Sequence, residues 1–215
     1  MATPKQGYFT KSGLRVPGTT TVLGASLGWS KGPLMAWAHR MGMEGKDLYG
    51  ERDKAADIGT LAHEMAECHI KGAEFIMPPL PAEDEAKVRS AYEAYLEWRD
   101  DSRIDVTGAE VRYVSENHKY GGTLDGVGTK GGQKVLIDFK TSNGTYAEHL
   151  IQLAAYAQLE EEVTGEPFVR WQLLRFGKDR GDFHQHSYKP IPEAWEAFKC
   201  LRTLYDLKRP LDALT

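Results

Sequence analysis

The chain has 215 residues, 41% of them hydrophobic and 27% charged, with a formal net charge of -4 at pH 7. These are values of an ordinary globular chain, and no apolar run approaches the roughly 18 residues of a membrane span, which excludes a transmembrane helix. Cys68 and Cys200 are the only cysteines, which excludes a disulfide scaffold, an iron–sulfur cluster held by four thiolates and a Cys-only zinc site.

Met1 leads into Ala2-Thr3-Pro4-Lys5-Gln6 with no apolar segment behind it, so the expected location is the cytoplasm. The charge is uneven. Residues 81–166 carry 17 acidic side chains against 9 basic, whereas residues 167–215 carry 9 basic against 6 acidic. Any polyanion must therefore be gripped locally rather than by global charge.

The part over residues 1–100 is expected to be mainly helical. Thr19-Thr20-Thr21 can cap a short helix through Val22 and Leu23. Pro33 suits a helix first turn, followed by Leu34, Trp37, Ala38 and Met41 at helical spacing. A helix over 52–71 and another over 83–100 follow, separated by the breaker Met77-Pro78-Pro79-Leu80-Pro81. The period then changes to two. Strands are expected at Val106–Val114, Gly121–Lys130 and Gln133–Thr141, then a helix over 146–162. Strands at Val169–Phe176 and Asp182–Tyr188 and a last helix over 192–208 complete the chain. The order implies one α/β domain over 1–215, with a mixed sheet flanked by helices: a helical part at 1–100, a catalytic core at 101–190 and a terminal helix within 191–215.

Chemistry concentrates in one predicted hairpin. Gly131-Gly132 is a two-residue turn signal. With that turn, Asp125 and Asp138 stand directly opposite each other, with Cβ atoms about 4.5–5.5 Å apart. Like charges so placed repel unless a cation lies between them, and hard divalent cations take carboxylate oxygens. Lys140, two residues beyond Asp138, shares its face. Two carboxylates and a lysine around a metal suit phosphodiester hydrolysis, with the ion neutralising phosphate and acidifying water and the lysine stabilising developing charge. An exposed hairpin with three unrelated charges would read the same way.

Two helical pairs add to this. His63 and Glu67 in Gly59-Thr60-Leu61-Ala62-His63-Glu64-Met65-Ala66-Glu67 lie one turn apart, as do Gln152 and Tyr156, with Glu148 a turn before. Each pair alone also fits an ordinary solvated helix face.

Taken in order, Gly59-Thr60-x-x-His63-x-x-x-Glu67, Gly122-x-x-Asp125, Asp138-x-Lys140 and Gln152-x-x-x-Tyr156 resemble the RecB-like branch of the PD-(D/E)XK nuclease superfamily, in its small stand-alone phage form. Val16-Pro17-Gly18-Thr19-Thr20-Thr21-Val22-Leu23 and Leu34-x-x-Trp37-Ala38 look like the start of such proteins.

The resemblance implies a restriction-endonuclease-like core and a Mg2+- or Mn2+-dependent deoxyribonuclease. The activity implied is that of an exonuclease on DNA ends in phage recombination, replication or repair. A structure-specific endonuclease and a non-catalytic DNA-binding or assembly subunit are the alternatives. It implies His63, Asp125, Asp138 and the Ile137 carbonyl as metal ligands and Lys140 as the catalytic lysine. Gln152 and Tyr156 would support the lysine and the DNA backbone, with Glu67 and Glu110 as further supporting carboxylates.

No iron–sulfur cluster is expected, because the cluster-bearing members have four cysteines. Without a helicase motif, unwinding would come from a partner, and a recombinase or single-strand-binding protein is another expected associate. Candidate DNA grips are Arg170, Arg175, Lys178 and Arg180, with Lys11, Arg15 and Lys31. Trp29 and Trp37 are candidates for base stacking.

Overall fold

Strand β5 (Gln133–Thr141) organises the molecule. Val135, Ile137 and Phe139 face one apolar core, and Leu136 faces the other. A strand buried on both faces needs covering layers on both sides, and this explains its nearly continuous apolar run. The computed structural model describes residues 7–29, 31–142, 144–177 and 181–214, and the side chains of all of these but 33 and 48–57.

The elements before β5 are β1 (Tyr8–Phe9), β2 (Arg15–Val16), α1 (Thr19–Ser26), α2 (Lys31–Met43), α3 (Leu48–Lys71), α4 (Ala82–Ser102), β3 (Asp105–Ser115) and β4 (Tyr120–Lys130). After it come α5 (Ala147–Thr164), β6 (Arg170–Phe176), β7 (Phe183–Tyr188) and α6 (Pro192–Asp212). The main sheet has five strands in the order β3-β4-β5-β6-β7. Its only parallel pair is β5–β6, and α5 forms the crossover.

The expected mixed α/β architecture is therefore present. Helices α1, α5 and α6 supply one core, with Val22, Leu153, Leu159 and Phe198, against Leu124, Leu136 and Leu173 of the sheet. Helices α3 and α4 supply the other, with Ala62, Ala66, Val88 and Tyr95 against Ile137, Phe139 and Phe176. Burying a large apolar side chain in either layer contributes about 1.5–3 kcal/mol. No helix among the described residues is long and apolar enough to cross a membrane.

Two sequence expectations change. The small hairpin β1–β2 has no counterpart in the sequence reading, because two-residue strands show no period. The N-cap of α1 is Gly18 rather than a threonine. The Thr19 hydroxyl instead donates to the Gly121 carbonyl at 3.0 Å, tying α1 to β4.

The Gly131-Gly132 turn forms as expected. Both glycines have positive φ, 58° and 77°, as a tight turn that follows the sheet twist requires. It sets the register from Lys130↔Gln133 to Gly126↔Ile137.

Candidate active site

The site lies at the C-terminal end of β5, where a parallel strand gives way to its crossover helix. Such positions leave room for ligands beyond the strand ends. A cleft of about 560 Å³ opens there, with His63, Phe139, Lys140, Thr141, His149 and Gln152 on one side. Leu23 of α1, Leu27 at its C-terminal cap and Leu34 of α2 add apolar lining.

Asp138 and Lys140 continue the row begun by Leu136, so strand alternation points both toward α5. Asp138 is fully buried, and the Lys140 ammonium pairs with its Oδ2. Lys140 Nζ also donates to the Phe139 carbonyl at 3.3 Å. Asp125 is 1% exposed. The ladder ends one step before it, at Gly126↔Ile137. Its Oδ2 instead accepts the Phe139 backbone N–H at 2.8 Å.

Burial pushes both carboxyls above the usual aspartate range. For Asp125 the charge of Asp138 adds to the rise, and for Asp138 the Lys140 ammonium opposes it. Asp125 Oδ1 and Asp138 Oδ1 are buried without a hydrogen-bond partner. Ile137 stands inside the ladder, opposite Gly126 and Gln172.

His63 reaches the site because α3 lies close to the end of β5. A Cβ on Gly59 would fall 3.1 Å from Thr141 Cβ, so a glycine permits this approach. One turn later the His63 ring packs on Phe139, with centroids 5.0 Å apart. Burial pushes its pKa down to about 4, so the imidazole is neutral near pH 7. Its Nε2 is buried and without a partner.

Gln152 and Tyr156 face the same place from α5. Gln152 Nε2 donates to Tyr156 Oη at 2.8 Å. Burial, then the charges of Asp125 and Asp138, raise the Tyr156 phenol well above its ordinary pKa. The phenol therefore stays protonated beside the two carboxylates. A Cβ on Gly122 would fall 2.7 Å from the Tyr156 ring, so that glycine lets the ring lie against β4. The Gly122-x-x-Asp125 spacing thus joins a packing requirement to a carboxylate.

The other named residues divide. Glu67 pairs with Lys71 on its own helix, and its charge helps to raise the Glu110 carboxyl, after partial desolvation. Glu110 lies between the pairs Ala109↔Gly126 and Val111↔Leu124, on the rung of Asp125. Its φ of 54° is uncommon for a non-glycine residue in a strand.

Arg175 is 7% exposed, pairs with Asp182 and donates to the Ser142 carbonyl at 2.8 Å. It braces the turn after β5 instead of offering a free cation to DNA. Arg170 bonds Ser187 Oγ at 3.1 Å and lines a different cavity, beside α4 and β7. Lys178 and Arg180 lie outside the described residues. Lys31 lines the cleft. Trp29 is 62% exposed, and Trp37 is half-buried.

Sequence reasoning missed His149. It sits three residues before Gln152, a same-face spacing that could have flagged it. Its pKa is pushed down to about 4 by burial and by Lys140, and its Nδ1 accepts the Tyr146 N–H at 3.3 Å.

A divalent ion can be tested against this donor set. His63 Nε2, Asp125 Oδ1 and Asp138 Oδ1 are a neutral imidazole and two carboxylates, each with a buried atom lacking a partner. That chemistry fits Mg2+ or Mn2+. Among the described residues, no three His, Cys, Asp or Glu side chains are gathered closely enough to hold an ion.

No protein-family model matches the sequence, and no curated protein matches it. Solved structures similar to the chain include a candidate exonuclease from Eubacterium rectale, at 12% identity and a TM-score of 0.49 over 67% of this chain. The chain spans 64% of that protein's length. They also include the alkaline exonuclease LHK-Exo from Laribacter hongkongensis, at 14% identity and a TM-score of 0.37, with 75% of this chain and 88% of that one covered. LHK-Exo in complex with dAMP gives a TM-score of 0.41 at the same identity and coverage.

Proposed function

We propose that the protein is a Mg2+- or Mn2+-dependent deoxyribonuclease that hydrolyses phosphodiester bonds. It acts as an exonuclease on single- or double-stranded DNA ends during phage recombination, replication or repair. It works in the cytoplasm, that of the host where a phage carries the gene, beside a recombinase, single-strand-binding protein or helicase. One observation carries this reading. His63, Asp125 and Asp138, which the resemblance names as ligands, each carry a buried donor atom without a hydrogen-bond partner, and Lys140 pairs with Asp138.

His63, Asp125 and Asp138, with the Ile137 carbonyl, would hold the ion. An ion there supplies positive charge to the scissile phosphate and acidifies the attacking water. Lys140 orients that water and stabilises negative charge developing on the phosphate. Gln152 and Tyr156 fix the position of Lys140 and donate to the backbone of the strand. Leu23, Leu27 and Leu34 offer apolar surface on the cleft wall.

The test is cleavage of end-labelled linear and closed circular DNA, single- and double-stranded, with Mg2+, Mn2+ or EDTA. Loss of label from linear DNA with either ion, and none from circles, is the expected result. Cleavage of circles would replace the exonuclease by an endonuclease. No cleavage of any form would leave the DNA-binding subunit as the reading.

His63→Ala is expected to lower activity less severely with Mn2+ than with Mg2+. Mg2+ demands near-ideal octahedral geometry and sheds its waters reluctantly, so the incomplete set left by the carboxylate pair holds it less well than it holds Mn2+. Steady-state rates with each ion, and the position of His63 in a crystal soaked with Mn2+, check this. A ring turned away from the ion would make the helix only structural.

A further inference from the structure

A second concavity lies on the other side of α1. It is a groove of about 710 Å³ between the β1–β2 hairpin and α6. Arg15, Lys119, Arg202, Lys208 and Arg209 line it, with Asp206 and Asp212 as its only carboxylates among the described residues. Both carboxylates are already engaged, Asp206 by Arg202 and Asp212 by Lys208. Lys119 lies 3.7 Å from Glu116. Arg15 and Arg209 are exposed and have no carboxylate partner among the described residues. A local excess of positive charge thus stands on a chain whose net charge is -4.

The groove and the cleft share α1. Thr20, Leu23, Gly24 and Leu27 face the cleft, while Gly18 and Thr21 face the groove. Tyr8 lies in the groove, and its hydroxyl shares a hydrogen bond of 2.9 Å with Thr123, two residues before Asp125 on β4. The hairpin that walls the groove is thus fixed to the strand that carries Asp125. Like charges lining one groove repel each other unless an anion comes between them.

We propose that this groove binds the phosphodiester backbone of a polynucleotide, the continuation of the strand whose scissile phosphate lies at Lys140. This rests on the nuclease reading above. The groove binds through phosphates and carries no base readout. Its role is to hold the strand outside the cleft, so it contributes to affinity for long DNA and little to the hydrolysis of a single nucleotide ester.

The experiment uses the full chain in EDTA, so that binding is read without cleavage. Anisotropy of a fluorescein-labelled oligonucleotide, single-stranded and duplex, is followed over a salt series for the parent and for Arg15→Glu/Arg209→Glu. The double variant is expected to bind about tenfold more weakly, with the slope of log K against log salt shallower by roughly 1.4, for two contacts at ~0.7 each on a single strand. Arg15→Gln/Arg209→Gln should give a smaller loss of the same sign, and circular dichroism checks that each variant is folded. With Mn2+ present, the loss of cleavage on long DNA should exceed the loss on thymidine 5′-(4-nitrophenyl phosphate) by about tenfold.

Equal affinity and salt slope in parent and variants, or no binding of either strand form by the parent, would overturn the groove. A parent that binds with this salt dependence yet cleaves neither substrate would leave the groove standing and remove the nuclease reading instead.

Discussion

Lys140→Ala and Asp138→Ala are each expected to abolish measurable cleavage, with losses of about 10²–10³ or more in kcat for removal of one charge-stabilising group. Only Asp138→Ala should also weaken the ion. Asp138 is fully buried with an oxygen free for a ligand, whereas Lys140 brings a positive charge that repels one. Lys140→Ala is expected to bind Mn2+ at least as tightly as the parent, because the carboxylate is released from its ion pair. Calorimetric Mn2+ titration of the folded variants, beside single-turnover cleavage, separates the two roles. Turnover at the parental rate in either variant would sink the assignment.

The second large effect is a trade between activity and stability at Asp125. Its carboxyl is 1% exposed, has one oxygen without a partner and is pushed up by burial and by Asp138. A raised folded-state pKa means that folding favours the protonated form. Stability is then full below the ordinary aspartate range and falls as the pH climbs toward the raised value. Asp125→Asn removes the charge and keeps an oxygen to accept the Phe139 N–H. In EDTA near pH 8 the variant should therefore be more stable than the parent, by about 1–3 kcal/mol, the scale of one unsatisfied buried group.

That gain corresponds to roughly 2–4 °C in Tm per kcal/mol for a chain of this size. It should shrink toward pH 4, close to the ordinary aspartate value, where taking up the proton on folding costs the parent little. Mn2+ should raise the Tm of the parent and not that of the variant, which should not cleave. Thermal melts at two pH values, with and without Mn2+, test all of this. A variant less stable than the parent at the higher pH in EDTA would overturn the account.

How much of this was legible in the sequence depends on how local each feature is. The β4–β5 hairpin was legible because Gly131-Gly132 leaves one choice of turn between two period-two runs. The face of α5 was legible because Gln152 and Tyr156 are one turn apart. The place of Glu110 was not, because β3 and β4 are joined through Glu116–Lys119, a longer link that leaves the register open. A register shift between Val106 and Gly108 then alters the pairing again. The apolar wall of Leu23, Leu27 and Leu34 depends on where α1 and α2 dock, and no period within either helix encodes that. The burial of Arg175 was not legible either, because its ion pair with Asp182 and its bond to the Ser142 carbonyl are tertiary contacts.

The crossover between β5 and β6 has a consequence for how the centre is assembled. Asp125, Asp138, Lys140, Gln152 and Tyr156 all come from the unbroken stretch β4–β5–α5, and a hairpin and a following helix close over short separations in sequence. Contacts of that kind form early, because little chain entropy is lost in making them. His63 joins from α3, and the whole of α4 and β3 lies between it and Asp125. The carboxylates and the lysine are therefore expected to come together first, with His63 joining as α3 packs on Phe139. If His63 holds the ion, ion affinity is tied to chain topology through that one histidine, and a substitution that loosens α3 on the sheet is expected to weaken Mn2+ binding without touching a single carboxylate.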